Sequence, residues 1–163
     1  MKSEAIQIIK NFLYNIQSVS IGCNELRFFN ADNLNEEQIG YRVDPDGNSL
    51  ISELEGDWQN NWIVIGIDES GDPLIVDCND IDLPVFQALS GQDDWSPSQI
   101  ADSLGKFKLI VTELKKLSIG RENPVELENN PFTLVEMESF HANIQQNNQP
   151  DPWFWELFLD CSA

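Results

Sequence analysis

The chain is 163 residues long and 41% hydrophobic, with five Trp and nine Phe, so it can bury one hydrophobic core. This composition excludes a disordered protein despite a formal net charge of −19, which results from 28 acidic and nine basic residues. Because so acidic a chain repels nucleic acid and anionic lipid, we expect neither as a partner.

The acidic residues are unevenly distributed along the chain. Residues 43–105 contain no Lys, Arg or His and hold 14 of the 28 acidic residues. A field of one sign attracts basic partners over a Debye length of about 10 Å at 0.1 M salt. An acidic surface also keeps a protein soluble, and charge alone does not separate the two roles. The distribution favours a basic protein partner over a small substrate.

The N-terminal third predicts a helix followed by one or two short strands. Ser3 is suited to cap a helix whose apolar residues recur at helical spacing, namely Ile6, Ile9, Phe12, Leu13 and Ile16. Residues 18–29 carry β-branched and aromatic side chains around Gly22, which is typical of strands. Residues 30–38 are polar, and we expect them to be irregular or weakly helical.

Short apolar runs separated by turn-forming residues predict a sheet in the middle of the chain. Residues 41–43 lead into Asp44-Pro45-Asp46-Gly47-Asn48, which predicts a hairpin turn. Residues 62–67 and 74–76 are continuously apolar and flank a polar loop, as expected of paired central strands. Residues 85–89 follow Pro84 as a further strand, so the sheet should have about four to six strands.

The remainder of the chain predicts helices. Ser96, Pro97 and Gln99 match the first residues of a capped helix, which we expect to end near Gly120. Its apolar stripe, which should cover the sheet, is Ile100, Leu104, Phe107, Val111 and Leu114. Residues 133–146 have helical character. Asp151-Pro152 opens a short aromatic helix over residues 153–159, which we expect to dock mainly on the core.

The cysteines and the N-terminal residues favour a cytoplasmic protein. Cys23, Cys78 and Cys161 are odd in number and far apart, so we expect reduced and mostly buried thiols. Lys2, Glu4 and Lys10 interrupt the apolar residues that a signal peptide would need. No run of about 18 apolar residues is present for a membrane span.

The sequence carries little that predicts catalysis. His141 is the single histidine and lies in a polar helical segment, so we expect a surface or structural role for it. No glycine-rich phosphate loop is present, and we predict neither an enzyme nor a bound cofactor or metal.

One pattern does match a calcium loop, through Asp44, Asp46, Asn48, Ile51 and Glu55. Ser49 stands where such a loop needs Gly, and Pro45 lies inside it, so an ordinary hairpin turn is the preferred interpretation. Calcium binding remains a remote alternative.

Acidic residues in loops beside the strands, together with two tryptophans, form the candidate partner-binding set. Aromatic anchors inside an acidic rim would suit a basic partner. In the alternative interpretation the tryptophans are core residues and the acids form a solvated face. The set is Trp58, Asp68, Glu69, Asp72, Asp77, Asp80, Asp82, Asp93, Asp94 and Trp95.

Residues 40–115 resemble the SUKH superfamily, which includes yeast cell-wall assembly regulators of the Smi/Knr type. The resemblance lies in Gly56-Asp57-Trp58, in residues 62–66, 71–77 and 84–85, and in Ile100-Ala101-Asp102-Ser103-Leu104 through Phe107. It implies an α+β fold with a central, mainly antiparallel sheet flanked by helices. It also implies structural roles for Gly66, Gly71 and Pro73.

For function, the resemblance implies no catalytic residues and, as in many bacterial members, an immunity protein that neutralises a toxin domain. We therefore expect a single domain with a helical C-terminal extension from about residue 121. We expect it to inhibit a basic toxin, such as a nuclease, by occluding it. A non-catalytic regulatory or scaffold module is the alternative, and the oligomeric state stays open.

Overall fold

A six-stranded antiparallel sheet forms the centre of the protein in the computed structural model, which describes residues 3–147 and 153–161. The spatial order of the strands equals their order in the chain. Each strand pairs antiparallel with the next one along the chain, so the sheet is a meander. The strands are β1 (Val19–Ile21), β2 (Asn24–Phe28), β3 (Trp62–Asp68), β4 (Pro73–Asp77), β5 (Val85–Gln87) and β6 (Ser98–Ala101).

Helices precede and follow the sheet, which makes the fold α+β, as predicted. They are α1 (Ser3–Asn15), α2 (Leu104–Ser118), α3 (Pro124–Asn129), α4 (Leu134–Asn147) and α5 (Trp153–Phe158). Two single 3₁₀ turns, Ala31–Asn33 and Glu36–Gln38, occupy the segment expected to be irregular or weakly helical.

Both faces of the sheet are covered, which explains the continuous apolar character of β3 and β4. The two covers differ in kind. Ile63 and Ile65 of β3 point to the face that packs against the helices, which we call the helical face. Val64 and Ile75 point to the opposite face, which we call the loop face. There the cover is irregular chain with large aromatic side chains, including Tyr41, Trp58 and Trp95.

The predicted start of the long helix at Ser96 is wrong. Residues 98–101 form β6, because their backbone pairs with β5 through Gln87↔Ser98 and Val85↔Ala101. The helix begins at Leu104, seven residues later than the capping pattern of Ser96 predicts, and Ser103 is its cap, since its side chain accepts a 3.0 Å hydrogen bond from the Lys106 N–H. The apolar stripe from Leu104 to Leu114 is buried as predicted, and α2 ends at Ser118, just before Gly120.

The predicted hairpin at residues 41–48 is present as a tight turn with very short pairing. The Asp44 N–H donates to the Asn48 carbonyl over 2.9 Å, and Val43 pairs with Ser49 by a single bridge. Its strands do not extend, because the chain turns away to cover the loop face.

The structural roles expected for two glycines and one proline are confirmed. A Cβ on Gly66 would collide with the Arg27 carbonyl oxygen on the adjacent strand, so only Gly allows this close approach. Gly71 has a φ of +82° in the turn before β4. Pro73 is the first residue of β4.

The C-terminal helices enter the main core. Phe140 and Ile144 of α4 belong to it, as do Phe154, Trp155 and Phe158 of α5, which confirms the expected docking of the aromatic helix. The indole N–H of Trp155 donates to the Ile100 carbonyl over 2.8 Å. The helix-opening role expected of Asp151-Pro152 lies outside the described residues.

The expectation of three reduced thiols is wrong for two of them. Cys23, in the turn between β1 and β2, forms a disulfide with Cys161, just beyond α5. The long sequence separation of 138 residues concealed a pairing that the docking of α5 brings about. Cys78 is buried and free, and burial raises the pKa of its thiol to about 11. Among the described residues, no helix is both long and apolar enough to span a membrane.

Candidate protein-binding surface

Trp58 lies at the centre of the loop-face cover and does not reach the surface. Its side chain is 2% exposed, and its ring contacts those of Trp62 and Trp95 in T-shaped arrangements at centroid distances of 5.4 and 5.2 Å. The expectation that Trp58 contacts a partner is therefore corrected, because the sheet needs this ring to cover Val64 and Ile75. Trp95 is only half-buried, so part of its side chain remains accessible to a partner.

Asp68 and Asp72 are also removed from the predicted surface, since each is 8% exposed. Asp68 Oδ1 accepts the backbone N–H groups of Ser70 and Asp72, each over 3.0 Å, and so closes the β3–β4 turn. Asp72 Oδ1 accepts the N–H and the hydroxyl of Ser90, each over 2.7 Å. The Gln87 amide donates to both carboxylates. Burial raises the pKa of Asp68. These two carboxylates hold loops together.

Strand register divides the remaining acidic residues between the two ends of the sheet. The pairs Trp62↔Asp77, Val76↔Val85 and Val85↔Ala101 place the start of β3 and the end of β4 at one end, which we call the near end. Asp80 and Asp82 follow β4 there. Glu69 lies at the opposite end, where its carboxylate accepts the Glu25 N–H over 3.3 Å.

Asp80 and Asp82 flank a side chain that protrudes into solvent. Ile81 is 95% exposed, and both neighbouring aspartates are exposed. We call Asp80-Ile81-Asp82 the acidic tip. Its backbone is well held: the Asp80 carboxylate accepts the Asp82 N–H over 2.9 Å, and the Asp82 carbonyl accepts the Leu104 N–H over 3.2 Å. Leu83, which follows the tip, is buried with a φ of +53°, a conformation unfavourable for a non-Gly residue.

Asp93, Asp94 and Trp95 lie in the loop between β5 and β6, which crosses the loop face. The Trp95 N–H donates to the Gly56 carbonyl over 2.7 Å, and this bond ties the loop to the segment before β3. Between them is an open groove of about 810 Å³. Its lining includes Trp62, Trp95, Glu53, Glu55 and Asp94, and we call it the acidic groove. Asp93 lies on the neighbouring rim beside Leu89 and Gln92.

Arg42 bonds to the backbone of the groove residue Trp62 and, among the residues that the structure describes, forms no ion pair with the groove carboxylates. Arg42 Nη1 donates to the carbonyls of Asn60 and Trp62 over 2.7 and 2.8 Å, and Nη2 donates to Asn60 Oδ1. Burial lowers the pKa of this guanidinium. Arg42 therefore fastens the start of β3, and within residues 3–147 and 153–161 the carboxylates of Glu53, Glu55 and Asp94 form no salt bridge.

The calcium pattern has another explanation in the structure. Asp44 Oδ1 accepts the N–H groups of Asp46 and Asn48, and Oδ2 accepts the Asn48 side-chain amide over 2.9 Å. These hydrogen bonds lower the pKa of Asp44, and through them its carboxylate stabilises the turn that it belongs to. Across the described part of the chain, no group of three or more His, Cys, Asp or Glu side chains is placed to hold a metal.

Sequence reasoning missed three contributors to the surface, namely Glu53, Trp62 and Ile81. Trp62 is read from sequence as a strand residue, and nothing in its neighbourhood marks its exposed edge. Ile81 does carry a signal, because it is a lone β-branched apolar residue between two aspartates in a turn-forming run. For Glu55, the sequence pattern suggested only the role of a calcium ligand.

Comparisons with known proteins assign no family. No protein-family model matches the chain, and no solved structure matches it. The chain is 31% identical over 108 residues to a probable kinetochore protein NUF2 of Candida glabrata, an alignment that covers 56% of this chain. The chain spans only 24% of the length of that protein. The resemblance to the SUKH superfamily therefore stays a prediction.

Proposed function

We propose that the chain is a non-catalytic inhibitor of the immunity type, which binds a basic toxin domain, such as a nuclease, and occludes it. The observation that carries the proposal is the acidic tip. An isoleucine that is 95% exposed between two exposed carboxylates, on a loop held by backbone hydrogen bonds, has the composition of an interface anchor with a charged rim.

Charge and anchor have separate tasks in this proposal. The exposed carboxylates of the tip and of the groove attract a basic surface and raise the association rate, an effect that salt weakens. Burial of Ile81 slows dissociation, because removing a side chain of this size from water is worth roughly 1.5–3 kcal/mol. The partner is a protein, since one-signed acidity disfavours nucleic acid and anionic membranes.

The test is affinity capture with the tagged chain from lysate of the source organism at low salt, followed by mass spectrometry. We expect a basic protein that raised salt elutes. Ile81→Ser should weaken its binding by roughly tenfold or more. Val135→Ser is the matched control, because Val135 is 74% exposed on α4 and belongs neither to the tip nor to the groove lining, so this variant should bind like the parent chain.

Activity of the captured protein decides whether the inhibition is of the immunity type. Expression of its isolated domain should stop growth unless the chain is co-expressed, and Ile81→Ser should protect less well. A harmless partner, or equal capture by the Ile81→Ser chain, contradicts the proposal.

A scaffold or regulatory module is the second candidate, and the similarity to a probable kinetochore protein favours it. Under that candidate, capture yields assembly or regulatory proteins with no toxicity of their own. The same capture experiment therefore separates the two classes.

We further propose the cytoplasm as the compartment, since a toxin such as a nuclease would meet its substrate there. The Cys23–Cys161 pair makes this testable, because disulfides are rare in the cytosol. Cells quenched with a thiol-alkylating reagent should then yield chain alkylated at both cysteines, whereas protection of both would place the protein in an oxidising compartment.

A further inference from the structure

The acidic groove combines two features that together favour one kind of ligand. Half-buried indoles of Trp62 and Trp95 supply aromatic surface, and exposed carboxylates of Glu53, Glu55 and Asp94 line the same cleft. Carboxylates alone would attract any cation, whereas aromatic faces add an attraction for cations that are weakly hydrated.

The aromatic part of the groove is preorganised. Trp58, which is fully packed, contacts both indoles, and its own N–H donates to the Trp62 carbonyl over 3.3 Å. Trp95 is fixed by its backbone bond to Gly56. Because the indoles are already positioned, a ligand need not order them on binding.

The carboxylates are close to this aromatic surface and are available. A Cβ on Gly56 would lie 2.6 Å from Asp94 Oδ1, so Asp94 packs directly on the backbone beside Glu55. Gly56 has a φ of +91°, which only glycine adopts readily, and this turn lets the two carboxyl-bearing segments approach. The nearby guanidinium of Arg42 is directed to backbone carbonyls.

We infer that the acidic groove binds the guanidinium of an arginine side chain presented by a basic protein, an inference that rests on the proposed function. A planar guanidinium stacks on an indole while its N–H groups, which lie in the same plane, donate to carboxylates at its edge. A lysine ammonium satisfies the charge without the stacking. The groove thus sets side-chain specificity, and the acidic tip anchors the complex.

The probe is the blocked peptide acetyl-Gly-Arg-Gly-amide, titrated into the ¹⁵N-labelled full chain. The control peptide replaces arginine with citrulline, which keeps the shape and removes the charge. The indole N–H signals of Trp62 and Trp95 should shift and saturate with the arginine peptide, with an affinity at least about tenfold above that for citrulline. The signal of Trp153, which lies on α5, should stay in place.

Variants locate the binding. Glu53→Gln with Glu55→Gln should weaken the arginine peptide by about tenfold or more. Asp46→Asn, an exposed change in the same segment outside the groove lining, should leave it unchanged. Saturable shifts that are equal for arginine and citrulline, or equal for arginine and lysine peptides, overturn the guanidinium assignment. So does an absence of saturable shifts.

The peptide titration and the capture experiment can contradict their two proposals separately. Arginine binding without any toxin among the captured proteins supports the groove and counts against the immunity role. A captured toxin that binds the Glu53→Gln, Glu55→Gln chain as tightly as the parent chain supports the immunity role and overturns the inference about the groove.

Discussion

Gln38 continues the hydrogen bonding of β3 beyond the end of its pairing with β2, which stops at Phe28↔Gly66. Its side-chain amide donates to the Val64 carbonyl over 2.8 Å, and its Oε1 accepts the Val64 N–H over 3.0 Å. Gln38→Ala leaves both buried backbone groups without this partner, so we expect a loss of about 1–3 kcal/mol for each in the free energy of unfolding.

Urea unfolding followed by Trp fluorescence measures this loss. Gln7→Ala is the matched control, because Gln7 is exposed and bonds only within α1. We expect the control to change the free energy of unfolding by less than about 0.5 kcal/mol. Equal losses in the two variants would contradict the role given to Gln38.

Asp68 should make stability depend on pH. Burial raises its pKa in the folded state, so between the unfolded pKa of about 4 and the folded pKa the native chain binds more protons than the unfolded chain. The contribution of Asp68 to stability is therefore present below the unfolded pKa and falls as pH rises through the folded pKa.

Asp68→Asn keeps an oxygen for the N–H groups of Ser70 and Asp72 and removes the titration. We expect a smaller fall of the urea midpoint with rising pH in this variant than in the parent chain. Asp46→Asn, which changes an exposed carboxyl in another turn, should follow the parent chain. A variant profile parallel to the parent profile would show that Asp68 does not titrate in this range.

At the scale of elements, two serines can be compared as caps of α2: Ser96, which the sequence pattern predicts, and Ser103, which the structure shows. Ser103 Oγ accepts the Lys106 N–H, whereas Ser96 stands exposed two residues before β6. Ser103→Ala should lower the free energy of unfolding by about 1 kcal/mol, and Ser96→Ala should change it little. Equilibrium unfolding of both variants checks this, and the reverse ranking would place the helix start at Ser96.

The disulfide fastens α5 to the first hairpin. Asn24 adds a 2.7 Å hydrogen bond from its side-chain amide to the Phe158 carbonyl, so α5 retains some attachment when the disulfide is reduced. Reduction of the disulfide should still lower the free energy of unfolding by about 2–5 kcal/mol, because the bond closes a long loop.

Urea midpoints with and without a phosphine reductant test the bond. Cys161→Ser is the control, because its midpoint should not respond to the reductant. Thiol titration of the purified parent chain, oxidised in air and then unfolded without reductant, should find one free cysteine, Cys78. Three free thiols and no response to the reductant would contradict the bond.

At the scale of the whole molecule, the formal net charge of −19 has a consequence for stability. Like charges repel more strongly in the compact state, and salt shortens the Debye length from about 10 Å at 0.1 M to about 3 Å at 1 M. We expect the thermal midpoint to rise with sodium chloride, and to rise less in Asp93→Asn, Asp94→Asn, which removes two exposed charges. Differential scanning fluorimetry measures both, and a midpoint that falls with salt would contradict dominant self-repulsion.

Much of the fold follows from local pattern. Helical spacing identifies α1 and the stripe of α2, and the apolar runs of β3 and β4 identify the central strands. Those signals are strong because each element must bury one face or both, and this requirement fixes which positions along the element are apolar. The cap at Ser96 fails as a predictor because backbone pairing with β5 outweighs a local propensity of about 1 kcal/mol.

The sequence by itself determined the acidity of residues 43–105 and the places of α1, β3, β4 and the apolar stripe of α2, since composition and periodicity are local properties. The α+β class followed from the resemblance to a known superfamily, and the structure confirms it. Only the tertiary structure decided which acids are available. It buries Asp68 and Asp72 in loop contacts, exposes Ile81 and brings Glu55 to Asp94. It also joins Cys23 to Cys161. The physical reason is that exposure and proximity depend on strand register and on the path of loops over the sheet, which no short stretch of sequence specifies.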